Sequence, residues 1–217
     1  MSSLETDVTI RPADRGDTHF LVWVMQEAAR SHLEKGVLDL AIPDDEKRLA
    51  FIDALSNAEA PSFFRYENFL VAEIDGRQVA ALSAFEPAIA VPQIEPAEVE
   101  AAQKLGWSDE ELRDMQDRFG IAMTCYPDSP EDRWIVEWVA TVPEFRGHGI
   151  VNQLLLAILE KGRERGYQKA QIGYLLGNTR AQRSYERVGF KTVYDRRDPD
   201  FEAALICPGI ACMHLDL

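Results

Sequence analysis

The sequence predicts a mixed α/β fold, and three observations carry the prediction. The C-terminal half alternates apolar, strand-like runs with helix-period runs. The dipeptide Asp75-Gly76 joins two apolar stretches and reads as a hairpin turn. A glycine turn, Arg146-Gly147-His148-Gly149, connects a long apolar run directly to an amphipathic helix. The 217 residues suit a single domain spanning 1–217. With 46% hydrophobic and 28% charged residues, the composition excludes general disorder, collagen-like structure and a coiled-coil rod.

Residues 8–11 alternate and stop at Pro12, which predicts a first strand. A helix follows from Asp17 or Thr18 to about Lys35, with Phe20, Leu21, Val24, Ala28 and Leu33 on one face and Gly36 as its stop. A second helix begins near 43–46 and carries Leu49, Ile52 and Leu55 inward. The hairpin occupies 69–74 and 78–83. Residues from about 87 to 130 are irregular, broken by Pro87, Pro92 and Pro96, with a helix start at Ser108. Glu95, Glu98, Glu100, Glu110, Glu111 and their neighbours make this stretch acidic, and it reads as an insertion between strands. It is either a solvated surface or a wall that selects a cationic acceptor.

Residues 134–142 form a central strand, and Pro143 ends its pairing. The helix from Ile150 to about Arg165 places Val151, Leu154, Leu155, Ile158 and Leu159 on one face. A strand at 169–175, a helix from Asn178 to Val188, a strand from Phe190 and a last strand at 210–215 complete the chain.

The sum of 23 basic and 37 acidic residues is −14. Such a surface repels nucleic acid and anionic lipid, so neither is expected as a partner. No apolar run reaches membrane-spanning length, and the first seven residues have no leader-like pattern. Cys125, Cys207 and Cys212 are scattered, which argues against disulfides or a metal site and for a reducing, cytoplasmic setting.

The chemistry is expected at residues 146–152. The first turn of a helix has N–H groups without internal partners, glycine lets a ligand approach the backbone, and the helix dipole favours negative charge. A pyrophosphate fits such a tip, with Arg146 and Asn152 in reach of it. The spacing is neither that of a dinucleotide loop nor that of a nucleoside-triphosphate loop.

The segment Val142-Pro143-Glu144-Phe145-Arg146-Gly147-His148-Gly149-Ile150-Val151 resembles the pyrophosphate loop of the GNAT superfamily of acyl-CoA-dependent N-acyltransferases. Val151 departs from that pattern, where glycine or alanine is usual. A second stretch, Asn178-Thr179-Arg180-Ala181-Gln182-Arg183-Ser184-Tyr185-Glu186-Arg187-Val188-Gly189-Phe190, is similar to the superfamily's other motif. The likeness covers about 134–194. It implies a GNAT-like fold: a mixed, mostly antiparallel sheet, splayed at its middle and flanked by helices on both faces. It implies acetyl-CoA as co-substrate, held by the backbone of Val139, Ala140, Thr141 and Val142 and by Arg146, Gly147, His148, Gly149, Ile150, Val151, Asn152 and Asn178, with no metal. It also implies that Tyr185 donates a proton to the departing thiolate.

Glu137, flanked by Val136 and Trp138, is the candidate general base, because partial burial raises a carboxyl pKa. It is equally readable as a carboxylate at the strand's solvent edge, or as one that merely binds the cationic substrate. Trp138, Tyr174 and Tyr194 either line an acceptor pocket or pack in the core. The expected function is direct acetyl transfer to a primary amine, a small cationic acceptor. The alternatives are a non-catalytic acyl-CoA sensor and an acetyltransferase of protein N-termini or lysines. The last strand's free end offers a pairing edge for a homodimer.

Overall fold

The computed structural model describes residues 7–217. The reading of the N-terminus as lacking a leader falls largely outside the described residues. The order begins with β1 (Thr9–Pro12), α1 (Thr18–Arg30), α2 (Val37–Ala41) and α3 (Asp45–Ser56). The hairpin strands β2 (Phe69–Ile74) and β3 (Arg77–Phe85) come next. Helices α4 (Pro87–Ala90), α5 (Ile94–Leu105) and α6 (Asp109–Met123) precede β4 (Trp134–Thr141). The chain closes with α7 (Ile150–Glu164), β5 (Lys169–Leu175), α8 (Thr179–Arg187), β6 (Lys191–Arg197), α9 (Pro199–Leu205) and β7 (Gly209–Asp216). Among the described residues no helix is long and apolar enough to cross a membrane.

The strands form one sheet in the order β1-β2-β3-β4-β5-β7-β6. Only the β4–β5 pairing is parallel. It is also short: Trp134 faces Ala170, Ile135 faces Gln171 and Val136 faces Ile172, and there it ends. Beyond Val136, β4 stays paired with β3 through Ala140 and Thr141. A bulge produces the parting. Trp138 takes φ +53°, and the β3–β4 register shifts between Ala81 and Ser83. An extra residue in one strand bends it and increases its twist, carrying β4 away from β5.

Each face of the sheet has its own core. On one, Leu21, Val24 and Met25 of α1 meet Phe51 and Ile52 of α3. On the other, Ile150, Leu154, Leu155 and Ile158 of α7 pack against Val136 and Ile172. Fully burying side chains of this size contributes about 2 kcal/mol each. The hairpin is as predicted, with Asp75 at φ +51° and Gly76 at φ +75°, the turn that matches strand twist.

Several expectations are corrected. Helix α1 ends at Arg30 because Ser31 turns to φ 58°. Gly36 is needed instead for close approach: a Cβ there would lie 2.2 Å from the Ala29 carbonyl oxygen. Gly36→Ala is expected to cost about 3 kcal/mol, seen as a lower urea midpoint at unchanged slope. In α3 the buried residues are Arg48, Phe51, Ile52, Ala54, Leu55 and Ser56, while Leu49 is exposed. Arg48 is accommodated by Asp39, Asp45 and the Ile42 carbonyl. Pro96 does not break α5; it sits in the first turn, where its missing N–H has no duty. Helix α9 was not anticipated, although Asp198 caps it through the N–H groups of Asp200 and Phe201. Strand β7 is paired on both sides, by β5 and β6, so it offers no free edge for a second copy.

The acidic stretch is integrated into the fold. Ala97, Ala101 and Met115 join the core under α1 and α3. Its carboxylates do structural work: Glu100 accepts from the N–H groups of Glu59 and Ala60, and Glu98 accepts from Gln116. Glu111 caps α6 at Ser108 and pairs with Lys47 at 2.8 Å.

Candidate active site

Where β4 and β5 part, the sheet opens into a cleft of about 860 Å³. One end is the tip of α7. Gly147 and Gly149 take φ +86° and +79°, a conformation that favours glycine, and Gly149 is the N-cap. The backbone N–H groups from Gly147 through Val151 have no partner among the described residues, whereas those of Phe145 and Arg146 donate to Val142 and Pro143, and that of Asn152 to Gly149. This is the arrangement that accepts an anion. Arg146 is held beside it by a bond from Nε to the Thr141 carbonyl, 3.0 Å, and by Glu27 at 3.5 Å.

Along β4 the direction of the peptide groups alternates. Val142 donates to Val79, so its N–H is already used on the β3 side. The Thr141 carbonyl, bonded by Arg146, points the other way, and its N–H and that of Val139 follow it toward the opening. Ala140 shares the orientation of Val142. The expected backbone contacts are therefore available at Val139 and Thr141, while Val142 is spent on β3 and lies outside the cleft lining. His148 is exposed and its side chain does not line the cleft either; only its N–H belongs to the anion-accepting run.

Helix α8 forms the opposite wall. Asn178 caps it, its side chain accepting from the Ala181 N–H at 3.0 Å and donating to Ser31 Oγ at 2.6 Å, which ties α8 to the end of α1. Tyr185 is buried and lines the cleft. Arg180, Arg183 and Arg187 also line it, and none pairs with a carboxylate among the described residues. Against a net charge of −14, this wall is locally cationic.

At the other end Glu137, the first residue of β4 beyond its pairing with β5, lines the cleft. Burial pushes its carboxyl up to about 7, a shift only partly opposed by the Trp138 N–H. Burial and the Glu137 charge both raise the Tyr185 hydroxyl well above the ordinary phenol range, so it remains a proton donor. Trp138 and Tyr174 line the cleft as well, and Tyr194 does not. Among the described residues no metal-ligating cluster forms, and no cysteine lines the cleft.

Three features escaped sequence reasoning. Tyr126 and Pro127, from the end of the acidic stretch, line the cleft. So does His32, beyond the early end of α1, where burial lowers its pKa. The arginines of α8 had a readable signal, since 180, 183 and 187 recur at helical spacing within the second motif.

A sheet parted beside a glycine-linked helix tip is the architecture of coenzyme-dependent acetyltransferases. Residues 27–190 match the acetyltransferase (GNAT) family, and the chain belongs to it. No curated protein matches it. Among solved structures, an N-acetyltransferase from Staphylococcus aureus is 18% identical, with coverage of 96% of this chain and 100% of that one and a TM-score of 0.69. A Drosophila melanogaster polyamine N-acetyltransferase that forms N-acetylagmatine is 17% identical, with coverage of 97% and 100% and a TM-score of 0.57. A Salmonella typhimurium protein solved with acetyl-CoA is 18% identical, with coverage of 97% and 94% and a TM-score of 0.53. At these identities the likeness is one of fold.

Proposed function

We propose that this protein is an N-acetyltransferase that moves an acetyl group from acetyl-CoA directly to the primary amine of a small molecule. The observation that carries the proposal is the run of unpartnered N–H groups from Gly147 to Val151, opening into the same cleft as Glu137 and Tyr185. When bound, acetyl-CoA supplies the activated acetyl thioester. The α7 tip and Arg146 would hold its pyrophosphate, and the α8 arginines would add positive charge nearby. The open N–H groups of Val139 and Thr141 pair with the amide-bearing arm as an added strand would. Asn178 fixes α8, from which the Tyr185 hydroxyl would donate its proton to the thiolate released when the amine displaces it. Glu137 takes the proton from the ammonium group, directly or through water.

The lack of a cysteine in the cleft supports direct transfer over a covalent enzyme intermediate. We read 1–217 as one acyltransferase unit with 87–130 as one of its walls. The free, buried cysteines support a reducing, cytoplasmic setting.

The test combines calorimetry with acetyl-CoA and an assay of amine-dependent release of coenzyme A. Wild type is expected to bind and to turn over. Gly149→Val, which forces a branched side chain into a left-handed conformation at the anion site, is expected to weaken binding at least about tenfold. Wild type that fails to bind acetyl-CoA overturns the reading, and tight binding without turnover on any amine points to a sensor.

A further inference from the structure

The amine itself has to enter a particular environment, and this inference rests on the acetyl-transfer reading above. Tyr185 and Tyr174 approach the cleft from the face covered by α7 and α8. The opposite face supplies Ala29, Val37, Tyr126, Trp138, Leu175 and Ile210, all from the core under α1 and α3. Glu137 lies at the parting between them. Among the described residues the only carboxylates lining the cleft are Glu137 and Glu27, and Glu27 sits 3.5 Å from Arg146 beside the glycine tip. The remaining charged side chains of the lining are Arg146, Arg180, Arg183 and Arg187. None of the carboxylates of the acidic stretch reaches the cleft; that stretch contributes Tyr126 and Pro127 instead.

Tyr126 is firmly placed. Its carbonyl accepts from Arg196 at 2.6 Å, Asp128 pairs with the same guanidinium at 2.6 Å, and Gln171 donates to the Asp128 carbonyl at 2.7 Å. Its hydroxyl has no hydrogen-bond partner in the protein among the described residues. Tyr126, Tyr185 and Glu137 all line this cleft.

A single ammonium group finds one free carboxylate here, and its attached body finds aromatic and aliphatic walls. A second cationic group would meet no further free carboxylate in this lining. We infer that the acceptor is a monoamine with an apolar or aromatic body, that Glu137 receives its ammonium group, and that the Tyr126 ring is the side wall that selects the body. The expected preference thus runs opposite to that of a polyamine acceptor.

The test compares 2-phenylethylamine with spermidine and agmatine on wild type, Tyr126→Phe and Tyr126→Ala, with acetyl-CoA affinity measured separately. Wild type is expected to favour 2-phenylethylamine in kcat/KM by at least about tenfold. Tyr126→Ala should raise KM for 2-phenylethylamine about tenfold or more with acetyl-CoA affinity unchanged, and Tyr126→Phe, which keeps the ring, should stay near wild type. Preference for the polycations, or an unchanged KM in Tyr126→Ala, overturns the inference and leaves acetyl transfer standing. Acetyl-CoA binding without turnover on either kind of amine overturns the acetyl-transfer reading, and this inference with it.

Discussion

Glu137→Gln is expected to lower kcat/KM for the amine by about 100-fold or more and to abolish the acidic limb of its pH profile. In wild type that limb should have an apparent pKa near 7, because burial lifts the Glu137 carboxyl from its ordinary 4.5 to about 7. Only the ionised form can take the ammonium proton, so activity should fall as pH drops through this value. The glutamine keeps shape and size but accepts no proton. Acetyl-CoA affinity should be unaffected, since the carboxylate lies at the far end of the cleft from the glycine tip. A variant that retains the limb would remove Glu137 from the mechanism.

The same shift has an opposite consequence for stability. The folded carboxyl holds its proton up to about 7, whereas the unfolded one loses it near 4.5. The folded state therefore binds more protons between these values, and the stability present below 4.5 is lost as pH rises through 7. Glu137→Gln should thus gain in melting temperature over wild type as pH rises across this interval. An inactive variant that melts higher at pH 8 would separate a functional group from a structural one.

Tyr185→Phe is expected to lower kcat about 100-fold while leaving acetyl-CoA affinity near that of wild type. Its hydroxyl is held protonated by burial and by the Glu137 charge, which suits a donor to a poor leaving group. An acetyl thioester of an acidic aryl thiol leaves without help, so the loss should shrink sharply with that donor. An equal loss with both donors would mean that the ring packs and the hydroxyl does nothing.

Local patterns disclosed the half of the cleft at the glycine tip, where acetyl-CoA is proposed to bind. The glycine turn, the amphipathic α7 and the stretch from Asn178 to Phe190 are contiguous in sequence, and their backbone geometry follows from the residues themselves. The acceptor half depends on distant partners and was mostly hidden. Tyr126 lies in an irregular segment and is held by Arg196, a residue 70 positions later. Gly36 looked like a helix stop, but its role is set by contact with Ala29, which no local pattern contains. The acidic stretch was readable as either a solvated surface or a charged wall, because composition does not show which carboxylates are consumed by backbone N–H groups, as Glu100 and Glu111 are. Glu137 could be nominated from its apolar neighbours, and the family resemblance implied a splay just beyond it; that Trp138 makes the bulge with a positive φ was not readable.

The shortness of the β4–β5 pairing divides labour within the molecule. On the proposed reading, the chain up to β4 would supply most of the surface that meets the amine, and the chain from α7 onward most of the grip on acetyl-CoA. Joined at Trp134, Ile135 and Val136, they form a seam along which the first portion can be remodelled toward new acceptors with little disturbance to the second.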